Sequence, residues 1–467
     1  MKITIISLLF FSLLANSIYG QTLDEHLVTA AKNNPKLKAK YLQYQASLER
    51  IPQVGALPDP QVGFSFFLMP MERYMGNQVG TISVMQMFPW FGTLDAAKIE
   101  MSFMAKAKFE EFNETKSMLF YEVRTTWYSL QLLEKEIEII KENIELLKTI
   151  EQIAITRFKT GSQNGISPEN NSRNKDTQKP ENPNNGAASG MNMQEKATQE
   201  KSSSNNMAPM GGMESTVTGS NMLNVLQVQM DINEWQNNYH LLENRKIPLT
   251  SRFNQLLSRE KDSAVILPET ILAQPMPVSI KELPDHIKNN NPILKMLEQE
   301  EAAYLAQSKM KQKMGMPMMS LGVQYDIFNS RDGSDSTMNG KNMLMPMATV
   351  TIPLWRKKYK ASIRESELMR QSVMEQKKDT NNQLMVNFED ALKEYKDASR
   401  REKLYQSQIE LATQAYNILM AQYTTDGKNL DDVLKMQLQL LDYRFKYLNA
   451  IIDGNMAVAT MERLMGR

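Results

Sequence analysis

The sequence predicts a mainly α-helical chain that also carries strands of membrane-barrel type, built as two copies of one long unit. Three observations support this: an internal repeat, two stretches of roughly 70 residues almost free of Pro and Gly, and four alternating segments near ten residues long.

The repeat is legible by eye. "NNPKLKAKYLQYQAS" at 33 recurs as "NNPILKMLEQEEAAY" at 290, and "ISVMQMFPWF" at 82 recurs as "ATVTIPLWRK" at 348. "RFKTG" at 157 matches "QYTTDG" at 422, and "TGSNMLNVLQVQM" at 218 matches "DGKNLDDVLKMQL" at 426. The first three matches are offset by 257 to 266 residues and the last by 208, so the difference between 266 and 208 leaves 58 residues, 162–219, without a counterpart. The domain reading is therefore a leader at 1–20, a first repeat at 21–258 interrupted by the insert 162–219, and a second repeat at 259–467.

The leader "MKITIISLLFFSLLANSIYG" has a basic second residue, a short apolar run and a small residue at its end, the pattern of a secretory signal peptide. Its apolar run is shorter than the roughly 20 residues of a spanning helix, and no later stretch reaches that length. With no cysteine there is no disulfide framework or thiolate metal site, and a net charge of +1 with mixed signs implies no nucleic-acid partner.

Each repeat opens with one expected helix, Leu23 to Ile51 and Pro277 to Gly315. After Pro89 and Pro353 come the long stretches, with apolar residues at spacings of three and four, ending at Gly161 and Gly427. At 1.5 Å per residue each makes a helix on the order of 100 Å long. Return helices follow, Asn221 to about Ser258 and Asn429 to Met465. So long an apolar stripe needs lateral, coiled-coil-like partners, including other subunits.

The alternating segments form hairpins at 61–88 and 316–353. In "QVGFSFFLM" Val62, Phe64, Phe66 and Leu68 oppose Gln61, Gly63 and Ser65. In the second hairpin Leu321, Val323, Tyr325 and Ile327 oppose Ser320, Gly322, Gln324 and Asp326, and Ala348, Val350 and Ile352 oppose Thr349 and Thr351. The length suits tilted strands crossing an outer membrane, with Trp90 and Trp355 where an aromatic girdle would lie. Four strands cannot close a barrel and lipid tolerates no open edge, so several chains must share one. A soluble sheet with one wet face is the alternative on strand pattern alone.

Enzyme chemistry has no foothold. The three histidines, His26, His240 and His286, are scattered, and there is no phosphate loop, nucleophile elbow or implied cofactor. Methionine, at 35 residues, is the compositional excess. Counting by twos places Met69, Met316, Met318, Met343, Met345 and Met347 on the polar side, with Met85 and Met87 in phase with Thr81 and Ser83. The insert, too polar to fold alone, adds Met191, Met193, Met207, Met210 and Met213. Thioether is a soft ligand suited to Cu(I) or Ag(I). Met101, Met104, Met369 and Met436 read instead as helix packing.

The tandem repeat, the hairpins ending in "FPWFG" and "IPLWRK", and the segment "YTTDGKNLDDVLKMQLQLLDYRFKYLNA" together resemble the TolC-like outer-membrane factors of bacterial efflux systems, which include a copper and silver branch of CusC-like proteins. The resemblance covers the mature chain outside 162–219. It implies a homotrimer with a shared twelve-stranded barrel in the outer membrane and a helical tunnel crossing the periplasm. The tunnel tip would dock on a periplasmic adaptor and an inner-membrane pump of resistance-nodulation-division type. It further implies that Gly427, Asp431 and Asp432, with Gly161 and Gly219 in the first repeat, stand at the tip, with the two acids lining the entrance. Lys435 and Asn224 stand where some members carry further acids. A drug or general efflux duct of the same family, and a periplasmic coiled-coil adaptor or metal-binding protein, are the alternative functions.

Overall fold

The computed structural model describes residues 22–163, 217–333, 335–426 and 429–467. The expected leader, most of the insert and Gly427 lie outside them. Two compact units divide the chain, one comprising residues up to 139, 240–414 and 437–467, the other 140–239 and 415–436.

The first unit opens with α1 (Leu23–Asn33) and α2 (Pro35–Gly55), where the sequence suggested one helix. The break is chemical. Asn34 adopts an extended backbone, its side-chain oxygen accepts from the N–H groups of Lys36 and Leu37, and Pro35 takes the first helical position, where a missing N–H costs nothing. The second repeat breaks the same way, α5 (Leu283–Asn290) giving way to α6 (Pro292–Met314) at Asn291 and Pro292. The Asn-Asn-Pro triplet is thus a cap followed by an N1 proline, and the single helices expected over 23–51 and 277–315 are each two.

The long helices are α3 (Thr93–Gln163) and α7 (Arg356–Asp426), each of 71 residues. Neither contains proline, and glycine occurs only at Gly161, so nothing interrupts the hydrogen-bond ladder. The return helices are α4 (Val217–Leu256) and α8 (Leu430–Leu464).

Two cores serve the first unit. In one, Trp127 and Phe253 close on His26 with ring centroids 5.0 and 5.2 Å from the imidazole, and Leu27, Val123, Leu257 and Ile452 fill in around them. In the other, Leu283, Ile287 and Leu294 pack on Leu384, Phe388, Met461 and Met465. Burying side chains of this size stabilises by about 1.5–3 kcal/mol each. The segment ahead of α5 is held by Asn455, whose amide donates to Leu272 O at 3.0 Å while its oxygen accepts from Gln274 N at 2.7 Å. The second unit has its own core of Leu147, Ile150, Val228, Ile232, Tyr416, Tyr423, Leu430, Val433 and Leu434.

One antiparallel sheet belongs to the first unit. Its strands β1 (Gln61–Arg73), β2 (Gly76–Phe88), β3 (Met318–Asn329) and β4 (Met343–Thr351) lie in chain order. The two hairpins lie side by side through the β2–β3 pairing, so β1 and β4 are edges.

Candidate functional site

Residues directly opposite in an antiparallel ladder share a face, so the register assigns each side chain. One face carries the rows Gln61–Met85–Gly322–Met347, Gly63–Ser83–Gln324–Met345 and Ser65–Thr81–Asp326–Met343, continued by Met87–Ser320–Thr349 and Met318–Thr351. The other carries Val62–Val84–Val323–Pro346 and Phe64–Ile82–Tyr325–Leu344. The polar placement expected for Met85, Met87, Met318, Met343, Met345 and Met347 is the observed one.

Two methionines depart from the expectation. Met316 precedes β3 and lies outside the ladder. Met69 falls in an irregularity between Phe66, which pairs with Gly80, and Met71, which pairs with Gln78. Four residues there stand against one on β2, so the alternation loses phase and counting by twos no longer assigns a face.

Burial on the two faces is the reverse of a soluble sheet's. Phe64 is 64% exposed, Phe66 78%, Leu344 66% and Val350 53%, whereas Ser320 and Asp326 on the polar side are 6% and 3% exposed. An antiparallel sheet in water turns its apolar face to the core. Here the apolar face stands open, and the polar side is the more sheltered one along the central strands β2 and β3, while on the edge strands β1 and β4 both sides are largely exposed. Asp326 accepts from Thr81 Oγ1 at 2.9 Å and from Gln324 Nε2 at 2.8 Å, and Gln78 Nε2 donates to Thr81 Oγ1 at 3.1 Å. Alternation placed Asp326 on this face, but its burial in a hydrogen-bonded cluster came only with the cross-strand register.

At one end of the hairpins Trp355 is 82% exposed, while Trp90, expected to stand out with it, is only 37% exposed and its neighbour Phe91 is the open ring at 81%; at the other end of the first hairpin Tyr74 is 80% exposed. Aromatic rings standing in the open at both strand ends fit the two polar boundaries of a membrane.

Asp431 and Asp432 occupy the first turn of α8 and are exposed. Their neighbours Leu430, Val433 and Leu434 are buried in the second unit's core, which fixes the helix face and turns both acids and Lys435 outward. Asn429, with φ of 67°, starts the helix by accepting from the N–H of Asp432 at 3.1 Å. Gly161 lies in the last turn of α3 and Gly219 in the first turn of α4, so the backbone is helical at both. Arg157, which the sequence reading did not single out, lies over the Tyr423 ring at 5.4 Å and donates to the Thr424 carbonyl, joining the ends of α3 and α7. Its signal was the alignment of "RFKTG" with "QYTTDG". Met191, Met193, Met207, Met210 and Met213 lie outside the described residues.

Among the described residues no three His, Cys, Asp or Glu side chains converge as a metal site, and no helix is long and apolar enough to cross a membrane. No family model and no curated protein matches the sequence.

Solved structures do match. The outer-membrane channel OprN aligns over 95% of this chain and 89% of its own, with a TM-score of 0.69 at 13% identity. The fold is that of outer-membrane channels. The outer membrane protein VceC from Vibrio cholerae covers 95% of this chain and 96% of its own at TM-score 0.68, and CusC covers 96% and 95% at 0.67, both at 13% identity. CusC stands level with the others, so the likeness singles out no copper and silver branch.

Proposed function

We propose that this chain is the outer-membrane duct of a tripartite efflux system. Three copies would contribute four strands each to one barrel, and the helices would form a tunnel reaching through the periplasm to an adaptor and an inner-membrane pump of resistance-nodulation-division type. The observation that carries the proposal is the exposed apolar face from Val62 to Leu344, backed by a polar side more sheltered along β2 and β3 and bounded by the two unpaired edges. Lipid would cover the first, water would fill the second, and neighbouring copies would pair the edges. The protein would act without chemistry, offering an aqueous path while the pump supplies the energy.

Its cargo in this reading includes Cu(I) or Ag(I). Support comes from the methionines on the polar face and from Met191, Met193, Met207, Met210 and Met213 in the insert.

Fractionation and reconstitution test the duct. The protein is expected in the outer-membrane pellet, as a heat-labile trimer in detergent that conducts ions across a planar bilayer. A monodisperse monomer in the periplasmic fraction, stable without detergent, would end the reading in favour of an adaptor or scavenger. For cargo, cells carrying Leu at the five insert positions are expected to lose silver tolerance while keeping tolerance to organic toxicants. Unchanged silver tolerance at matched expression would favour a general duct.

A further inference from the structure

Among the described methionines, two groups stand in contrasting surroundings. Met461 and Met465 lie within the helical cores, and Met385, Met420 and Met436 pack against them. There the flexible thioether fills gaps between apolar side chains. Met85, Met87, Met345 and Met347 belong to none of these cores and share their face with Ser83, Gln324, Thr349 and Asp326.

The strand between them is the informative one. β2 presents Met85 and Met87 two residues apart, and β4 presents Met345 and Met347 two residues apart. β3 separates the pairs, presenting Gly322 between Met85 and Met347, Ser320 between Met87 and Thr349, and Gln324 between Ser83 and Met345. Gly322 is required by close approach, since a Cβ there would fall 2.6 Å from the Val84 carbonyl oxygen and 3.2 Å from the Met85 Cα. The result is a gap over Gly322 with a thioether on each side, Met85 and Met347, and with Met87 and Met345 on its two diagonals. Met85 and Met347 are two strand spacings apart, about 10 Å between backbones. Unbranched side chains with three rotatable bonds can lean inward over that gap. No His, Cys or carboxylate stands in these three rows, so a hard or borderline cation finds few ligands there. Asp326, on the same face, supplies negative charge without entering the gap.

We infer that Met85, Met347, Met87 and Met345, arrayed around Gly322, form a binding site for a soft monovalent cation, Cu(I) or Ag(I), on the interior face of the sheet. The inference rests on reading this face as the water-filled side of the duct. It also locates cargo contact inside the barrel, well away from the insert in sequence. Binding is reversible ligation by neutral sulfur, so no electron or proton moves and a cation can pass on.

Silver titration tests the site. Purified full-length protein in detergent and chloride-free buffer is mixed with silver nitrate, and metal retained after desalting is counted. The double variant Met85→Leu with Met347→Leu keeps side-chain volume. It is expected to lose one silver ion per chain, or to bind it about tenfold more weakly. Met319→Leu, on the opposite face of β3 against Phe88 and Val350, is expected to lose none. Replacing the five insert methionines should leave the barrel silver in place. Equal silver in the double variant and the parent overturns the site. If the double variant does not assemble, X-ray absorption at the silver edge decides on the insert-Leu protein made with selenomethionine, where a first shell of only nitrogen and oxygen also overturns it. Planar-bilayer conductance of the same samples separates the two readings: a conducting parent without barrel silver rejects the site alone, and a silver-binding parent that never conducts rejects the duct alone.

Discussion

The side-chain amide of Asn291 donates to the backbone carbonyl of Leu464 at 2.9 Å, so the residue that starts α6 also receives the end of α8. Its oxygen meanwhile accepts from the N–H groups of Ile293 and Leu294. Asn34 does the same in the first repeat, capping α2 and donating to Leu256 O at 3.1 Å. One side chain thus satisfies orphan donors of one helix and an orphan acceptor of another. Asn291→Ala removes both sets and is expected to cost about 2 kcal/mol, combining a lost cap with a lost buried hydrogen bond. Asn291→Ser keeps a capping oxygen and is too short to reach the Leu464 carbonyl, so its melting midpoint should fall between parent and Ala. Equal midpoints for Ser and Ala would assign the whole effect to the Leu464 contact.

His26 makes the core of the first unit sensitive to acid. Its ring is 2% exposed, and burial, aided by the Arg259 guanidinium, lowers its pKa from 6.5 to about 4. Arg259 lies with its Nη2 3.2 Å from His26 Nδ1, so the neutral ring accepts, and a protonated ring would turn donor against donor. Between pH 6.5 and about 4 the unfolded chain binds a proton that the folded chain excludes. Stability from this source is therefore complete above pH 6.5 and falls progressively as pH drops toward 4. His26→Gln keeps an acceptor for Arg259 and cannot titrate. Its melting midpoint should change less across that window than the parent's, and an equal change would move the acid sensitivity elsewhere.

The repeat, the long helices and both hairpins were legible because each rests on a local, periodic signal: missing breakers in α3 and α7, and alternation in β3. What escaped was in part local, since the breaks at Asn34 and Asn291 carry the signal of an Asn cap followed by an N1 proline that the helical periodicity on both sides overrode, and in part set by partners far away in sequence, such as the Leu256 and Leu464 carbonyls that those caps also bind. The phase slip that removed Met69 from its face is invisible in β1 alone, because only pairing with β2 shows four residues against one. At the start of α8, Asp431 and Asp432 were named through the family resemblance, and the burial of Leu430 and Val433 beside them came only with the structure, as did the role of Arg157, which needs the ends of α3 and α7 to meet.

Asp432 tests the entrance. Exposed in the first turn of α8, it gains from the helix dipole whatever else it does, and Asp432→Ala should cost no more than about 1 kcal/mol. If three copies ring a narrow mouth, the same variant should weaken block of conductance by trivalent cations while the trimer assembles normally. Unchanged block would leave Asp432 as a helix-start residue only.

Val323 and Gln324 are neighbours on β3 that face opposite ways, and in the proposed duct they would separate membrane from water within one strand. Val323 lies in the apolar row with Val62, Val84 and Pro346, and Gln324 lies in the polar row with Ser83 and Met345. Val323→Lys would present a charge to lipid, at a cost of about 2–4 kcal/mol near the bilayer midplane. Gln324→Lys would place the same charge in the lumen beside Asp326, where water and a carboxylate receive it. The first variant is expected to be depleted from the outer-membrane fraction and to give little heat-labile trimer. The second should assemble and shift the channel's ion preference toward anions. Both variants inserting equally well would mean that lipid does not cover the Val323 face, and the barrel reading would fail at its central surface.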